Sequence, residues 1–255
     1  MKAVSRIAPP SCLDNDSPEV RAKKERLYET EEPWDGFLDK KSVRDELLKM
    51  FGGECAFCGK RLLSDNTDTQ VDRFLPKKSR SKPESKLEPF KLLSLCWDNI
   101  ILLCGNCNNK KGSFSPKSLE GKVFVERFMK DEGIAPQSAE VFEKNQVLNN
   151  CTDRLLDPSF DNPSEHILFI PCGFGMFKHI TQIGKLMKEK IFIRSESSDI
   201  FFTELSDRMK EVVDNSPQPE QERDRIIKDS GYSFFRQHYY NYWLDIKEKR
   251  DNSAK

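Results

Sequence analysis

Residues 96–112 read CWDNIILLCGNCNNKKG, and residues 54–59 read ECAFCG. Each stretch holds a C-x-x-C knuckle, Cys55/Cys58 and Cys104/Cys107, with 45 residues between the two. Two intervening residues let both sulfurs of a knuckle turn toward one point. Two knuckles then supply four thiolates, enough to close the tetrahedral shell of a structural zinc ion and leave no open position. The spacing exceeds that of a compact zinc ribbon, so a segment is inserted between the knuckles. A single C-x-x-C also suits a thioredoxin-like redox pair. Two copies, with glycine directly after Cys58 and Cys104 and no βαβ pattern nearby, argue against that alternative. Cys12, Cys96, Cys151 and Cys172 have no such partner in sequence and read as buried thiols.

The inserted segment and the second knuckle carry their own pattern. Thr69–Phe74 is strand-like and ends in the polar pair Asp72-Arg73. Ile100–Leu103 is a second apolar run, opened by Asn99. The second knuckle leads into Asn108-Asn109-Lys110-Lys111-Gly112, a helix start. Strand, loop, strand and helix, with zinc at the base, make a ββα arrangement. Upstream, KSVRDELLKMF (41–51) sets Val43, Leu47, Leu48 and Phe51 on one helical face, and Gly52-Gly53 stops the helix.

The remaining chain reads more coarsely. Residues 1–40 form an extended, proline-punctuated arm with a short charged helix around Pro18–Glu31. Residues 119–150 read as two helices, LEGKVFVERFMKDEG and SAEVFEKNQVL. Residues 151–178 are irregular, with strand-like HILFI and a glycine turn, PCGFG. Helical patterning returns over 180–213, interrupted at KIFIRSESSD. Residues 218–250 read as one charged helix ending in Phe234, Phe235, Tyr239, Tyr240, Tyr242 and Trp243. That aromatic cluster suits packing or a partner surface, and stacking on bases is the alternative. The expected fold class is α+β, mostly helical. A small ββα core (41–118) held by a four-cysteine zinc site lies between the N-terminal arm and a C-terminal helical region (119–255).

Composition first argues against a nucleic-acid protein. The 255 residues include 42 Lys+Arg and 42 Asp+Glu, a net charge of zero, and only three histidines, His166, His179 and His238. Mean hydropathy is −0.69, that of a soluble chain with a modest core. The zero is a sum, however. Arg73 to Lys91 contains seven basic and two acidic residues, and extension to Lys122 raises the local excess to +7 against −7 elsewhere. A concentrated basic stretch neutralises phosphates through counterion release, although a solvated lysine loop has the same composition. The N-terminus shows no apolar targeting segment, and the longest apolar-rich run, about His166–Phe177, is too short to cross a bilayer. The expected location is the cytoplasm, where thiols stay reduced and no membrane is engaged.

The motif over residues 43–116 resembles the HNH (ββα-metal) endonuclease family with flanking zinc knuckles. Its members read C-x-x-C, then a D-H or E-H pair with a following proline, then N-L-x-L-L-C-x-x-C-N/H-x-x-K. Here the counterparts are Cys55/Cys58, Asp72-Arg73 with Pro76, Asn99 through Cys104, and Cys107-Asn108 with Lys110-Lys111. The wider layout, with Trp34 before the first core helix and LLDPSFDNPSEHILF at 155–169, resembles the HNH subunit of Septu-type anti-phage systems, including those attached to retrons.

The resemblance implies metal-dependent hydrolysis of DNA phosphodiester bonds. It implies a catalytic Mg²⁺ or Mn²⁺ held by Asp72 and Asn108, with Asn99 fixing the loop that orients the general base. It also implies a partner ATPase of the ABC/SMC-like kind, to which charged C-terminal helices would dock. Lys77, Lys78, Arg80 and Lys110 are the expected contacts to the nucleic-acid backbone, with little sequence specificity. The chain departs from the family at Arg73, where the family has its general-base histidine. A guanidinium stays protonated and cannot accept that proton. Three readings follow. Arg73 clamps phosphate while a nearby group or a metal-bound water supplies the base, or His166 or His179 supplies it, or the domain is degenerate and only binds.

Overall fold

Helix α1 (Pro18–Glu29) and helix α2 (Lys41–Met50) precede the cysteine core in a computed structural model that describes residues 2–29, 41–77, 90–169, 177–192 and 196–253. Trp34, Lys78, Arg80, Cys172 and the glycine turn at 171–175 lie outside the described residues. The apolar face of α2 is buried through Val43, Leu47 and Met50, and Phe51 continues it. Gly52 and Gly53 follow with φ of 62° and 70°, a conformation that ends the helix cheaply only for glycine.

Strand β1 (Thr69–Arg73) pairs antiparallel with β2 (Ile100–Cys104), placing Asp72 opposite Ile101 and Arg73 opposite Ile100. Every residue of β2 is buried, as its uninterrupted apolar run requires. Helix α3 (Gly105–Lys111) packs against both strands. The Cys104 sulfur accepts a hydrogen bond from the Cys107 N–H, so the second knuckle also caps α3. The strand–strand–helix order expected from the sequence is present.

The two helices expected over 119–150 are present only as short pieces, each preceded by a strand. Strand β3 (Phe124–Glu126) runs into a five-residue helix α4 (Arg127–Asp131) and pairs in parallel with β4 (Glu140–Phe142), which leads to α5 (Lys144–Asn149). Gly133, at φ 72°, and Pro136 separate the two helical pieces, and Phe124, Val125, Val141 and Phe142 pair as strands instead of extending them.

A short helix α6 (Pro163–His166) opens into β5 (Ile167–Phe169), which pairs with β6 (Phe177–His179), so the strand expected at HILFI is present over Ile167–Phe169, while His166 belongs to the helix. Helices α7 (Gln182–Lys190) and α8 (Glu196–Asn215) follow. The expected single helix over 218–250 is two, α9 (Pro219–Ser230) and α10 (Ser233–Ser253). The break falls at Gly231, whose backbone bridges to Lys60 beside the first knuckle. A Cβ at Gly231 would lie 2.6 Å from both Arg61 N and Gly59 O, so only glycine permits this approach. One apolar cluster runs from Leu13 to Tyr240. Among the described residues no helix is long and apolar enough to cross a membrane.

Residues 154–161 fold as a buried ionic knot. Arg154 donates to both carboxylate oxygens of Asp161, at 2.6 and 2.7 Å. Asp157, fully buried, pairs with Lys144 at 2.8 Å. Burial opposes ionisation of Asp157, but the Lys144 and Arg6 cations more than offset it and hold its pKa below the usual carboxylate range. Arg6 also donates to Trp97 O, Asp98 O and Ser159 Oγ, which ties the N-terminal arm to the start of β2. Replacing Asp157 by alanine strands two cations, and a loss of about 3–5 kcal/mol is expected. Thermal melting checks this; an unchanged midpoint would contradict the assigned role.

Candidate functional site

The four knuckle cysteines converge. Their sulfurs all lie within 4.8 Å of one another, and Cys58 Sγ is 3.8 Å from Cys104 Sγ. Tetrahedral zinc with bonds of about 2.3 Å sets its sulfurs about 3.8 Å apart. Backbone N–H groups point at the sulfurs: Cys104 N to Cys55 Sγ at 3.3 Å, Cys107 N to Cys104 Sγ at 3.4 Å, and Lys60 N to Cys58 Sγ at 3.5 Å. Such donors favour thiolates. Hydrogen bonds from Cys107, then Cys55 and Cys58, hold the Cys104 thiol far below its ordinary pKa, and Cys107, as the donor, is pushed up. The cluster can hold a metal such as zinc. With four sulfurs the shell is closed, which suits a structural rather than a catalytic ion. Cys96 and Cys151 are buried apart from it, and burial raises both thiols, Cys151 to about 11. Cys12 is half-buried beside Ser42.

A polar ladder lies on the strand–helix face next to this cluster. Side chains alternate along β1, so Gln70 and Asp72 share one face. Asn108 and Lys111, three apart on α3, share the helix face that meets it. Asn108 Nδ2 donates to Gln70 Oε1 at 2.6 Å, and Lys111 Nζ donates to Asp72 Oδ2 at 2.6 Å. The Lys111 side chain is 1% exposed and that of Asp72 26%. Sequence reasoning named Asp72 and Asn108 and missed the roles of Gln70 and Lys111. The signal was available: a period of two on the strand and of three to four on the helix.

The same alternation separates Arg73 from Asp72. Arg73 turns to the other face, is buried, and donates from Nε to Ser94 O at 3.2 Å. The structure does not bring it to the ladder. Asn99, also buried, accepts from Leu75 N at 2.8 Å and donates to Leu75 O at 3.0 Å and Leu93 O at 3.3 Å. Its carbonyl accepts from Phe74 N at 2.7 Å. Asn99 therefore pins the segment that leaves β1. Substitution by alanine would orphan these backbone groups, and a loss of about 2 kcal/mol or more is expected in chemical denaturation. A change within error would show that the segment is held by other contacts.

The basic stretch is less exposed than its composition suggests. Lys110 donates to Ile191 O at 3.0 Å, and Lys91 and Lys111 are buried. Lys122 faces Glu140 at 3.4 Å, while Lys77 is half-buried just beyond β1 and Lys117 is exposed. The histidines serve other elements. His166 meets Thr181 Oγ1 at 2.8 Å and Asp161 at 3.5 Å, His179 pairs with Ile167, and His238 packs on Phe234. Among the described residues none of the three bonds to Asp72 or Asn108. Phe235, Tyr239 and Tyr240 are buried, so these rings of the C-terminal aromatic cluster pack inward.

Among curated proteins, the chain is similar to the Septu protein PtuB of Bacillus mycoides (strain KBAB4), 28% identical over 198 residues that cover 72% of this chain and 60% of the relative. The Septu protein PtuB of Bacillus thuringiensis is 23% identical over 216 residues, 81% of this chain and 63% of the relative. The chain thus spans about three-fifths of the length of these relatives. These likenesses support the resemblance to Septu proteins read from the sequence. No family model matches the chain, and no solved structure matches it.

Proposed function

We propose that this chain is an HNH-type endonuclease that hydrolyses phosphodiester bonds of DNA, acting in anti-phage defence with a partner ATPase of the ABC/SMC-like kind. One observation carries the reading: Gln70 and Asp72 on β1 face Asn108 and Lys111 on α3, directly beside a four-cysteine cluster. The similarity to Septu proteins supports the defence setting.

Asp72 and Asn108 would hold the catalytic Mg²⁺ or Mn²⁺. Lys111 engages only Oδ2 of Asp72, and Gln70 engages only Nδ2 of Asn108. Among the described residues, Oδ1 of each carries no hydrogen bond, and two oxygen donors suit a hard cation that keeps several waters. When bound, such an ion stabilises charge developing on the phosphate oxygens. The chain's own residues set the stage. A metal such as zinc fixes the second knuckle, hence the start of α3 and the position of Asn108. Asn99 holds the exit from β1, and Lys77, with Lys78 and Arg80, contacts the nucleic-acid backbone.

A second reading, a zinc-stabilised module that binds nucleic acid or a partner without cleaving, draws on the placement of Arg73 and the histidines away from the ladder. Incubating the purified chain with supercoiled DNA and with structured RNA, with and without the ATPase, separates the two. Metal-dependent cleavage of DNA supports the nuclease. Retention of DNA without cleavage under both conditions supports the binding module, and cleavage of RNA alone overturns the substrate assignment.

A further inference from the structure

We infer that Lys111 sets the cation affinity of the Asp72–Asn108 pair, so that a divalent ion and a phosphodiester bind there interdependently. The inference rests on the nuclease reading of this pair and adds a charge balance to it.

Lys111 closes α3, and its side chain is 1% exposed. A buried ammonium requires compensation. Its Nζ lies 2.6 Å from Asp72 Oδ2 and 3.3 Å from Gly112 O, so Asp72 supplies the countercharge. The ladder therefore consists of two amides, one carboxylate and one ammonium, with no net charge. The nearby carboxylate of Asp68, just before β1, is spent on Lys60 at 2.6 Å and on Gly105 N at 2.8 Å.

On the reading above, a divalent cation would meet two oxygens, Oδ1 of Asp72 and Oδ1 of Asn108, in a ladder without net negative charge. Gln70 keeps the Asn108 amide turned the right way, the part an outer partner plays at metal sites. Sites that hold divalent ions by themselves spend several carboxylates on them. Here the missing negative charge is one that a phosphodiester carries. Linkage then makes the effect reciprocal: phosphate tightens the ion by the factor by which the ion tightens phosphate.

The test uses the full chain loaded with zinc. Mn²⁺ binding is followed by electron paramagnetic resonance for the wild type, Lys111→Met, and Lys111→Met combined with Asp72→Asn. The expected result is weak binding by the wild type, binding about tenfold tighter or more in Lys111→Met, and loss of that gain in the double variant. Equal or weaker binding by Lys111→Met would overturn the role of Lys111. Should that variant fail to fold, Lys111→Gln keeps a polar side chain of similar reach and carries the same expectation. Fluorescence anisotropy of a phosphorothioate duplex, with and without Mn²⁺, tests the phosphate half. Its affinity should rise with Mn²⁺ in the wild type, and an unchanged affinity would overturn the coupling. If the wild type cleaves no DNA while Lys111→Met still binds Mn²⁺ more tightly, the nuclease reading fails and the charge balance stands.

Discussion

Cys104→Ser is expected to release the bound metal and unfold the core. Cys104 ends β2, caps α3 and places its sulfur 3.8 Å from that of Cys58, so one residue joins the sheet, the helix and the cluster. A structural zinc ion contributes on the order of 10–16 kcal/mol to small zinc-dependent folds at neutral pH. A whole domain is stable by only about 5–15 kcal/mol. Losing the ion with one thiolate of four therefore removes stability comparable to all that the fold holds. The wild type should carry one zinc ion per chain by elemental analysis, and Cys104→Ser none, with its cooperative melting transition abolished. Cys55→Ser should behave alike. Cys96→Ser should keep the ion, because Cys96 lies apart from the cluster. A Cys104→Ser protein that melts like the wild type would show that the cysteines do not hold the fold.

Asp72→Asn is expected to reduce DNA cleavage by about a thousandfold, the equivalent of roughly 4 kcal/mol of lost transition-state stabilisation. The substitution has a second consequence. It leaves the Lys111 ammonium buried without a countercharge, at a cost of about 3–5 kcal/mol. Activity lost through unfolding would look the same as activity lost through chemistry. The double variant Asp72→Asn/Lys111→Met separates them: it removes both charges, so its melting should recover toward the wild type while cleavage stays lost. Recovery of cleavage along with stability would show that Asp72 acts only through the fold. DNA retention measured without divalent ions should survive in the double variant, since Lys77 and the basic residues after it are untouched.

The cysteine pattern was the most legible part of the fold. Metal-ligand spacing is a local property, and β2 and α3 adjoin the second knuckle, so a short window determines all three. Helix α2 was equally plain, because its apolar spacing and its glycine stop lie within a dozen residues. The strand period also separates Asp72 from Arg73. Adjacent residues of a regular strand point to opposite faces, so Asp72 and Arg73 cannot both meet α3. The helices expected over 119–150 are shortened to α4 and α5, because the strand pairing of Phe124–Glu126 with Glu140–Phe142 joins residues distant in sequence. Composition counts Lys91 and Lys110 toward the basic stretch, whereas the burial of Lys91 and the bond of Lys110 to Ile191 depend on segments distant in sequence. The ionic knot was illegible for the same reason. Arg6, Lys144 and Asp157 meet only once the arm, α5 and the 154–161 segment have packed.

Nicking of supercoiled plasmid by the zinc-loaded wild type in the presence of the ATPase, with Mg²⁺ and with chelator, decides whether Asp72 and Asn108 belong to a nuclease centre. Nicked and then linear DNA is expected with Mg²⁺, and intact plasmid with a chelator mild enough to leave the zinc in place. Plasmid left intact with Mg²⁺, by protein that carries its zinc and is folded, would contradict that assignment.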